Sequence, residues 1–141
     1  MDCVGLRRSL RDTMETRRTM GPADLIDILG ERLAAGDVDG ALALYEPHAT
    51  FVAAPGRRLS GADAIRSVLE RLAASRPRLE SNIEQVLEAD NTALVINRWA
   101  LQGTGPDGEP VSMDGRSADV MRRQPDGEWR ILIDDPWGGA A

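Results

Sequence analysis

The sequence predicts an α+β fold in which a mostly antiparallel sheet follows three helices along the chain. Before Pro77, apolar residues recur at helical spacing, whereas after it they alternate with a period of two. Turn sequences at residues 90–91 (DN), 105–110 (GPDGEP) and 125–127 (PDG) divide the later part into four strand-like segments. Helices followed by consecutive strands are typical of α+β domains.

The first two helices are predicted on either side of Gly36. Pro22 suits the first turn of a helix, and Gly36 suits the left-handed residue that ends one. The apolar face of this helix consists of Leu25, Ile28, Leu29 and Leu33. Asp37 is a good N-cap for a second, shorter helix through VDGALALYE, which Pro47 is expected to stop.

A strand and a third helix are predicted next. ATFVAA (49–54) is strand-like, and the Pro-Gly pair at 55–56 turns the chain. Ser60 followed by Asp63 resembles a capping box, with aspartate in place of the usual glutamate. The helix that it opens has an apolar face made of Ile65, Val68, Leu69 and Leu72.

Four strands complete the predicted sheet. Residues 79–88 alternate in the manner of a half-buried strand. Three further strands follow: TALVINRWALQG (92–103), VSMDGRSADVMRR (111–123) and EWRILIDD (128–135). Asp119 interrupts the third of the four strands, and Asp134 and Asp135 close the last. These acids lie where a buried hairpin would present apolar atoms.

The chain of 141 residues suits a single domain with one core. Residues 1–20 are polar, rich in arginine and aperiodic, so we expect a mobile extension before a domain at residues 21–141. A short amphipathic helix is the alternative for this extension. Met14 and Met20 also leave open a later start of translation.

The composition argues against several kinds of partner. The net charge is −6, which disfavours nucleic acid, and no segment approaches the ~20 apolar residues of a membrane helix. One histidine (His48) and one cysteine (Cys3), far apart, disfavour a zinc site and exclude an internal disulfide. We therefore expect no metal, no cofactor, no nucleic-acid or membrane partner, and a cytoplasmic location.

The order of parts in AAGDVDGALALYEPHATFVAAPGRRLSGADAIRSVL, with DGEWRILIDDPW at the end, resembles the nuclear transport factor 2-like superfamily. That superfamily includes ketosteroid isomerases and SnoaL-like polyketide cyclases. The resemblance covers nearly all of the predicted domain. It implies a cone-shaped, strongly curved sheet around the helices, an apolar pocket, and pairing as a homodimer through the sheet. It does not by itself imply an activity.

The catalytic residues of ketosteroid isomerases are only partly matched. Those enzymes use an aspartate base, with a tyrosine and a protonated aspartate as the oxyanion hole. The resemblance places the tyrosine position at Leu29 and the base position at Ala53, and it keeps the protonated aspartate at Asp119. It therefore implies that this chain does not isomerise ketosteroids by that route.

A second branch, the limonene-epoxide-hydrolase type, uses an Asp–Arg–Asp set. The resemblance places one of its acids at Asp134 and the other two positions at Asn97 and Trp99, so this set is also incomplete.

Strand alternation predicts which side chains face the pocket. Residues two apart on a strand share a face, so an inward Asp119 brings Ser117 and Met121 with it, and Leu132 shares a face with Asp134. Asp119 and Asp134 are the predicted catalytic pair, because converging carboxylates in apolar surroundings raise each other's pKa. The predicted pocket residues are Phe51, Val95, Asn97, Trp99, Ser117, Met121 and Leu132.

Other residues receive structural interpretations. We expect Asp135, opposite Asp134, to be exposed, and His48 to lie at the surface. Trp129 and Trp137 are interpreted as packing residues, and Arg98 as an outer-face residue that forms an ion pair in a dimer. A solvated position at the rim of the cone remains the alternative for both predicted catalytic acids.

Two functions fit these observations. The first is a pocket protein for a small apolar or polyketide-like molecule, acting as an isomerase, cyclase or hydrolase by acid–base chemistry through Asp119 and Asp134. The second is a non-catalytic ligand-binding or dimerisation module of the same fold. The inward acids favour the first, and the incomplete catalytic sets favour the second.

Overall fold

The computed structural model describes residues 20–140, so the predicted N-terminal extension lies outside the described residues except for Met20. The predicted α+β class and its three helices are confirmed. The helices are α1 (Asp24–Ala34), α2 (Val38–Leu42) and α3 (Ala62–Ala74). No helix in the described part of the chain is both long and apolar enough to cross a membrane.

The signals at Gly36 and Asp37 are present as expected, whereas the first helix begins at Asp24, two residues after Pro22. Gly36 follows α1 with a φ of +75°, and the Asp37 carboxylate accepts a hydrogen bond from the Gly40 backbone N–H at 2.9 Å, which caps α2. The predicted capping box at α3 does not form. Gly61 precedes that helix with a φ of +91°, because Ser60 is the last residue of a strand and its side chain is not available to the helix.

Six strands form one mixed sheet in the order β2-β1-β6-β5-β4-β3, with β2 and β3 as its edges. They are β1 (Tyr45–Ala54), β2 (Arg57–Ser60), β3 (Arg78–Ala89), β4 (Thr92–Thr104), β5 (Pro110–Arg123) and β6 (Trp129–Asp134). All neighbours pair antiparallel except β1 and β6, which pair parallel. The prediction of a mostly antiparallel sheet is thus confirmed.

The first strand begins earlier than predicted. The second helix ends at Leu42 rather than at Pro47, and β1 begins at Tyr45. Pro47 is tolerated in β1 because the pairing with β6 is irregular between Tyr45 and Thr50, so no ladder hydrogen bond is required from the proline nitrogen. The prediction of a helix through VDGALALYE is therefore wrong in its second half.

A β-bulge changes the alternation of β6. Val120 pairs with Ile133, whereas the next residue of β5, Met121, pairs with Ile131, so Leu132 is an extra residue in β6. Ile131 and Asp134 are both buried as a result, while Leu132 is only half-buried. The prediction that Leu132 shares the face of Asp134 is wrong for this reason.

The core lies between the helices and the inner face of the sheet. α1 contacts β3 and β6, and α3 contacts β1 and β2. Gly30 lets α1 approach the sheet closely, because a Cβ atom there would lie 3.4 Å from the Leu79 Cβ. The most deeply buried apolar side chains are Leu25, Leu33, Ile65, Leu69, Val95, Met121 and Ile131.

Candidate active site

A cavity of about 170 Å³ lies between the helices and the inner face of the sheet. Its wall is mainly apolar, with Leu and Val side chains from α1 and α3 on one side and Phe51, Trp99 and Ile131 from the strands on the other. Its polar lining comes from side chains on β1, β3, β4, β5 and β6: Tyr45, Ser81, Asn97, Ser117, Asp119 and Asp134. The sheet thus supplies the polar groups, and the helices supply apolar wall.

The two predicted acids meet in this cavity. Asp119 is 6% exposed and Asp134 is 8% exposed, and their carboxyl groups are hydrogen-bonded to each other. We call them the acid pair. They come together because β5 and β6 are neighbours and the bulge at Leu132 turns Asp134 inward.

Tyr45 completes a three-residue network with the acid pair. Its hydroxyl donates a hydrogen bond to Oδ2 of Asp134 at 2.5 Å, and the side chain is buried. Burial and the neighbouring Asp134 charge raise the pKa of Tyr45 well above its usual value, so the phenol stays neutral and acts as a donor. The sequence prediction missed this residue, because the segment that contains it was assigned to a helix.

Asp119 has one further donor with clear geometry. The Asp135 backbone N–H donates to Oδ1 of Asp119 at 2.9 Å, while the Ser117 hydroxyl donates to the Asn97 carbonyl at 3.3 Å and lies close enough to lower the pKa of the Asp119 carboxyl group. These contacts favour the charged form of Asp119, but their effect on its pKa is smaller than that of burial and of the neighbouring acid. Burial, followed by the charge of Asp134, raises the pKa of Asp119 well above its usual value.

Asp134 behaves differently from its partner. Burial raises its pKa as well, but the hydrogen bonds from Tyr45 and Asp119 oppose that shift. Both carboxyl groups therefore have raised pKa values, and the hydrogen bonds from Tyr45 and Asp119 limit the rise at Asp134. A single shared proton is the usual outcome when two carboxyl groups lie this close.

The predicted pocket residues divide into three groups. Phe51, Asn97, Trp99 and Ser117 line the cavity together with the acid pair. Val95 and Met121 face the same side but are completely buried in the core behind it and do not line it. Leu132 is absent from the wall because of the bulge, and Ile131 takes its place.

The positions that the isomerase resemblance singled out are apolar walls of this cavity. Leu29 and Ala53 both line it, so neither a phenol nor a base is present at those two positions. A phenol reaches the acids from a different place, because Tyr45 lies at the start of β1. The site therefore differs from the ketosteroid isomerase set in composition as well as in geometry.

The other end of the cavity is aromatic. Trp99 and Trp137 pack edge to face with their ring centroids 5.8 Å apart, and Trp99 Nε1 donates to the Pro136 carbonyl at 2.9 Å. Gly115, directly across from Trp99 on β5, leaves room for its ring, because a Cβ atom there would lie 2.9 Å from it. Trp137 is thus a packing residue, as interpreted, and it also lines the cavity.

Two polar atoms of the cavity wall have no hydrogen-bond partner among residues 20–140. They are Asn97 Oδ1 and Trp137 Nε1, both buried. We call them the second polar site. The Asn97 side chain is 3% exposed, and its amide nitrogen makes one long contact of 3.5 Å with Ser81 Oγ. A buried polar group left unpaired costs about 1–3 kcal/mol, so native structures contain few of them.

Asp135 is not the exposed residue that the sequence predicted. It is half-buried, and its carboxylate accepts hydrogen bonds from the backbone N–H groups of Trp137 at 3.1 Å and Gly139 at 2.7 Å. These bonds fix the turn that places Trp137 at the cavity. His48 is exposed, as expected. No group of three metal-binding side chains occurs within the described residues.

A family comparison agrees with this architecture. The family model for the SnoaL-like domain matches residues 28–131, from α1 to β6. The chain belongs to the SnoaL-like domain family. Among curated proteins, no match to the chain is found.

Solved structures share the fold of this SnoaL-like chain at low sequence identity. A proposed scytalone dehydratase from Novosphingobium aromaticivorans is 16% identical, with 89% of this chain and 83% of that chain covered and a TM-score of 0.70. A proposed NTF2-like dehydratase from Streptomyces avermitilis is 20% identical, with 80% and 90% covered and a TM-score of 0.68. A ketosteroid isomerase-like protein from Erwinia carotovora atroseptica is 15% identical, with 80% and 89% covered and the same TM-score. Likeness at this level shows the fold alone.

Proposed function

We propose that this SnoaL-like protein binds a small, mainly apolar molecule and transfers a proton within it by means of the acid pair. The observation that carries the proposal is the Tyr45–Asp134–Asp119 network at the end of an apolar cavity. An ionised and a protonated carboxyl group in contact provide a general base and a general acid at the same pH.

The chemistry follows from the position of the shared proton. Asp134 removes a proton from carbon next to a carbonyl group, and Asp119 delivers its own proton to the oxygen or to a departing hydroxyl group. The pair holds one proton before and after the step. Delivery to the oxygen gives an isomerisation through the enol, and delivery to a hydroxyl group gives loss of water. The names of two structural neighbours, both proposed dehydratases, support including the second reaction.

A non-catalytic binding role is the second candidate, and one observation favours it. The Tyr45 hydroxyl occupies Oδ2 of Asp134, the atom that a base would use, so a substrate has to reach the other oxygen or displace the phenol. In a binding protein the same network would recognise a polar group of the ligand without moving a proton. The two roles differ in whether exchange of carbon-bound hydrogen is accelerated.

Proton transfer can be tested without knowing the natural substrate. Cyclohexanone in D₂O exchanges the hydrogens next to its carbonyl group, and NMR measures the rate. We expect the wild-type protein to accelerate this exchange, and Asp134→Asn to reduce the acceleration by about 10²-fold or more. Glu46→Gln is the matched control, since Glu46 is a carboxylate of similar exposure (9%) that does not line the cavity. A wild-type rate equal to that of Asp134→Asn would favour the binding role.

A homodimer formed through the outer sheet face is also proposed. This face is partly apolar, with Leu94, Ile96, Ala118 and Val120 half-buried and Leu87 and Ile133 exposed. Beside it, Glu84 lies between Arg116 at 2.7 Å and Arg98 at 3.8 Å. A two-fold axis would bring such a mixed group against its own copy, where opposite charges can pair, and apolar surface of this kind is commonly covered by a partner.

The oligomeric state tests this proposal. Light scattering is expected to give twice the mass of the chain, and Val120→Arg, in the middle of the face, is expected to give the mass of one chain. Ser112→Arg, at the far end of β5, is the control and should remain dimeric. A wild-type mass of one chain at micromolar concentration would contradict the proposal.

A further inference from the structure

The second polar site has no role in the proton transfer proposed above, although it faces the same cavity. A buried amide oxygen and a buried indole N–H are respectively an acceptor and a donor. Both lie in the wall of a mainly apolar cavity, where an unsatisfied polar atom is disfavoured, and the hydroxyl groups of Ser81 and Ser117 beside Asn97 leave its Oδ1 without a partner among the described residues. Because Asn97 and Trp137 line the same cavity, we infer that a molecule that enters the cavity forms hydrogen bonds with these two atoms.

The second polar site lies apart from the acid pair. Asn97 pairs with Ser117 across β4 and β5, and Asp119 is two residues further along β5, which corresponds to about 7 Å. Trp137 lies beyond Asn97 on the side away from Asp119, because it packs against Trp99. The acid pair and the second polar site are therefore placed to contact different ends of one ligand.

The volume of the cavity limits the length of that ligand. An engineered cavity of about 150 Å³ in another protein holds benzene, and this cavity has about 170 Å³. It accommodates one ring with small substituents, which is much less than a four-ring steroid. Two strand positions about 7 Å apart can therefore face the two ends of a single ring that carries one polar substituent at each end.

We propose that the ligand is a single-ring molecule with an oxygen at each end: a carbonyl or hydroxyl oxygen at the acid pair, and a hydroxyl group at Asn97 and Trp137. A hydroxyl group both donates and accepts, so it can donate to Asn97 Oδ1 and accept from Trp137 Nε1. The inference rests on the proposed function, because it assigns the second end of the molecule whose first end meets the acids.

Three aromatic ketones test the inference with the full-length protein. 4-Hydroxyacetophenone carries oxygens at both ends, acetophenone lacks the hydroxyl group, and 2-hydroxyacetophenone carries it next to the carbonyl. By calorimetry or ligand-observed NMR, we expect the 4-hydroxy compound to bind at least about tenfold more tightly than the other two, since a site built to bind a hydroxyl group discriminates against ligands that lack it.

Variants show whether the second polar site causes this preference. Asn97→Leu removes the amide at similar size, and Trp137→Phe removes the N–H but keeps an aromatic ring. Each is expected to reduce the preference, measured as the ratio of the affinities for 4-hydroxyacetophenone and acetophenone in the same variant, to about threefold or less. Asn82→Leu on the exposed face of β3 is the matched control and should keep the full preference. Two independent variants guard against a folding defect in one of them.

The outcomes separate this inference from the proposed function. Equal binding of all three ketones would overturn the inference and leave the proposed function in place. A preference that survives both Asn97→Leu and Trp137→Phe would also overturn it, and would indicate that a resident water satisfies the second polar site. Failure of all three ketones to bind would overturn both proposals.

Discussion

Two carboxylates of nearly equal exposure lie on the neighbouring strands β1 and β6, and their pKa values are shifted in opposite directions. Glu46 is 9% exposed and Asp134 is 8% exposed. The pKa of Glu46 is lowered, chiefly by hydrogen bonds from Arg122, whereas the pKa of Asp134 is raised by burial. At similar exposure, hydrogen bonds from a cation outweigh burial at Glu46, whereas burial outweighs the hydrogen bonds of neutral donors at Asp134.

The difference originates in strand alternation. Tyr45 and Glu46 are consecutive residues of β1, and their side chains point to opposite faces of the sheet. On the outside, Glu46 accepts two hydrogen bonds from the Arg122 guanidinium and one from Gln124 at 2.9 Å. On the inside, Asp134 meets a phenol and another acid, with no cation among the described residues that line the cavity.

The comparison has a functional consequence. A carboxylate paired with arginine is held in one protonation state near neutral pH, so it fixes structure but cannot exchange protons. In the acid pair, which has no cation beside it among the described residues, burial and the charge of Asp134 raise the pKa of Asp119 well above its usual value, so protonation is favoured. The sheet thus carries an arginine-paired glutamate on its outer face and a buried pair of aspartates on its inner face.

The largest expected effect is a wide separation of titration curves. Carbon-detected NMR on labelled protein should show Asp119 titrating well above the ordinary aspartate value of 3.8, because burial and the Asp134 charge disfavour its ionised form. Glu46 should titrate below its ordinary value of 4.5. If both members of the acid pair titrate near 3.8, the cavity is open to water and the catalytic proposal has to be abandoned.

The second prediction concerns stability as a function of pH. The raised pKa of Asp119 means that the folded state binds more protons than the unfolded state above about pH 4. Its stabilising contribution is complete below the unfolded value and is lost as the pH rises through the folded pKa. The melting temperature should therefore fall on account of this residue as the pH rises from about 4 through the raised folded-state pKa.

Asp119→Asn should remove the loss of stability that ionisation of Asp119 causes at high pH. The amide carries no charge and can reproduce hydrogen bonds of the protonated acid, so we expect a gain of about 1 kcal/mol or more at about pH 8, or roughly 4 °C in melting temperature. At about pH 5 the variant should differ little from wild type. Asp119→Leu, which cannot form the hydrogen bonds, serves as the contrast and should be less stable at both pH values.

Strand alternation located part of the site from sequence for a structural reason. β4 and β5 pair over thirteen residues without a register shift. Once one residue of this pair of strands is assigned to the inner face, alternation also assigns the inward side chains of Asn97, Ser117 and Asp119. The α+β order and the turns between the later strands are likewise local properties, and all are present. The roles assigned to these residues stay predictions, although their positions are established.

Two of the errors occur where pairing is irregular. The bulge at Leu132 depends on how β6 fits against β5, and the apolar run ILI (131–133) gives no sign of it. Tyr45 follows ALAL, a segment with high helix propensity, and only the parallel pairing of β1 with β6 makes it a strand. Tertiary pairing overrides local preference at both positions, and both border the acid pair.

The smallest expected effect concerns Glu46, the carboxylate on the outer face. Its contribution to stability should change with pH in the opposite direction to that of Asp119. The lowered pKa of Glu46 means that its contribution to stability is present above the unfolded value and is lost as the pH falls through the folded pKa. Glu46→Gln should therefore lower the melting temperature modestly at about pH 7, because Arg122 is half-exposed (48%) and water screens the pair.

The same variant should become indistinguishable from wild type in strong acid, where Glu46 itself is protonated. Asp119→Asn has its largest effect at high pH, so the two difference curves should slope in opposite directions when melting temperature is plotted against pH. Parallel curves would mean that the two faces of the sheet do not differ electrostatically, and the separation between a structural and a reactive carboxylate would then be wrong.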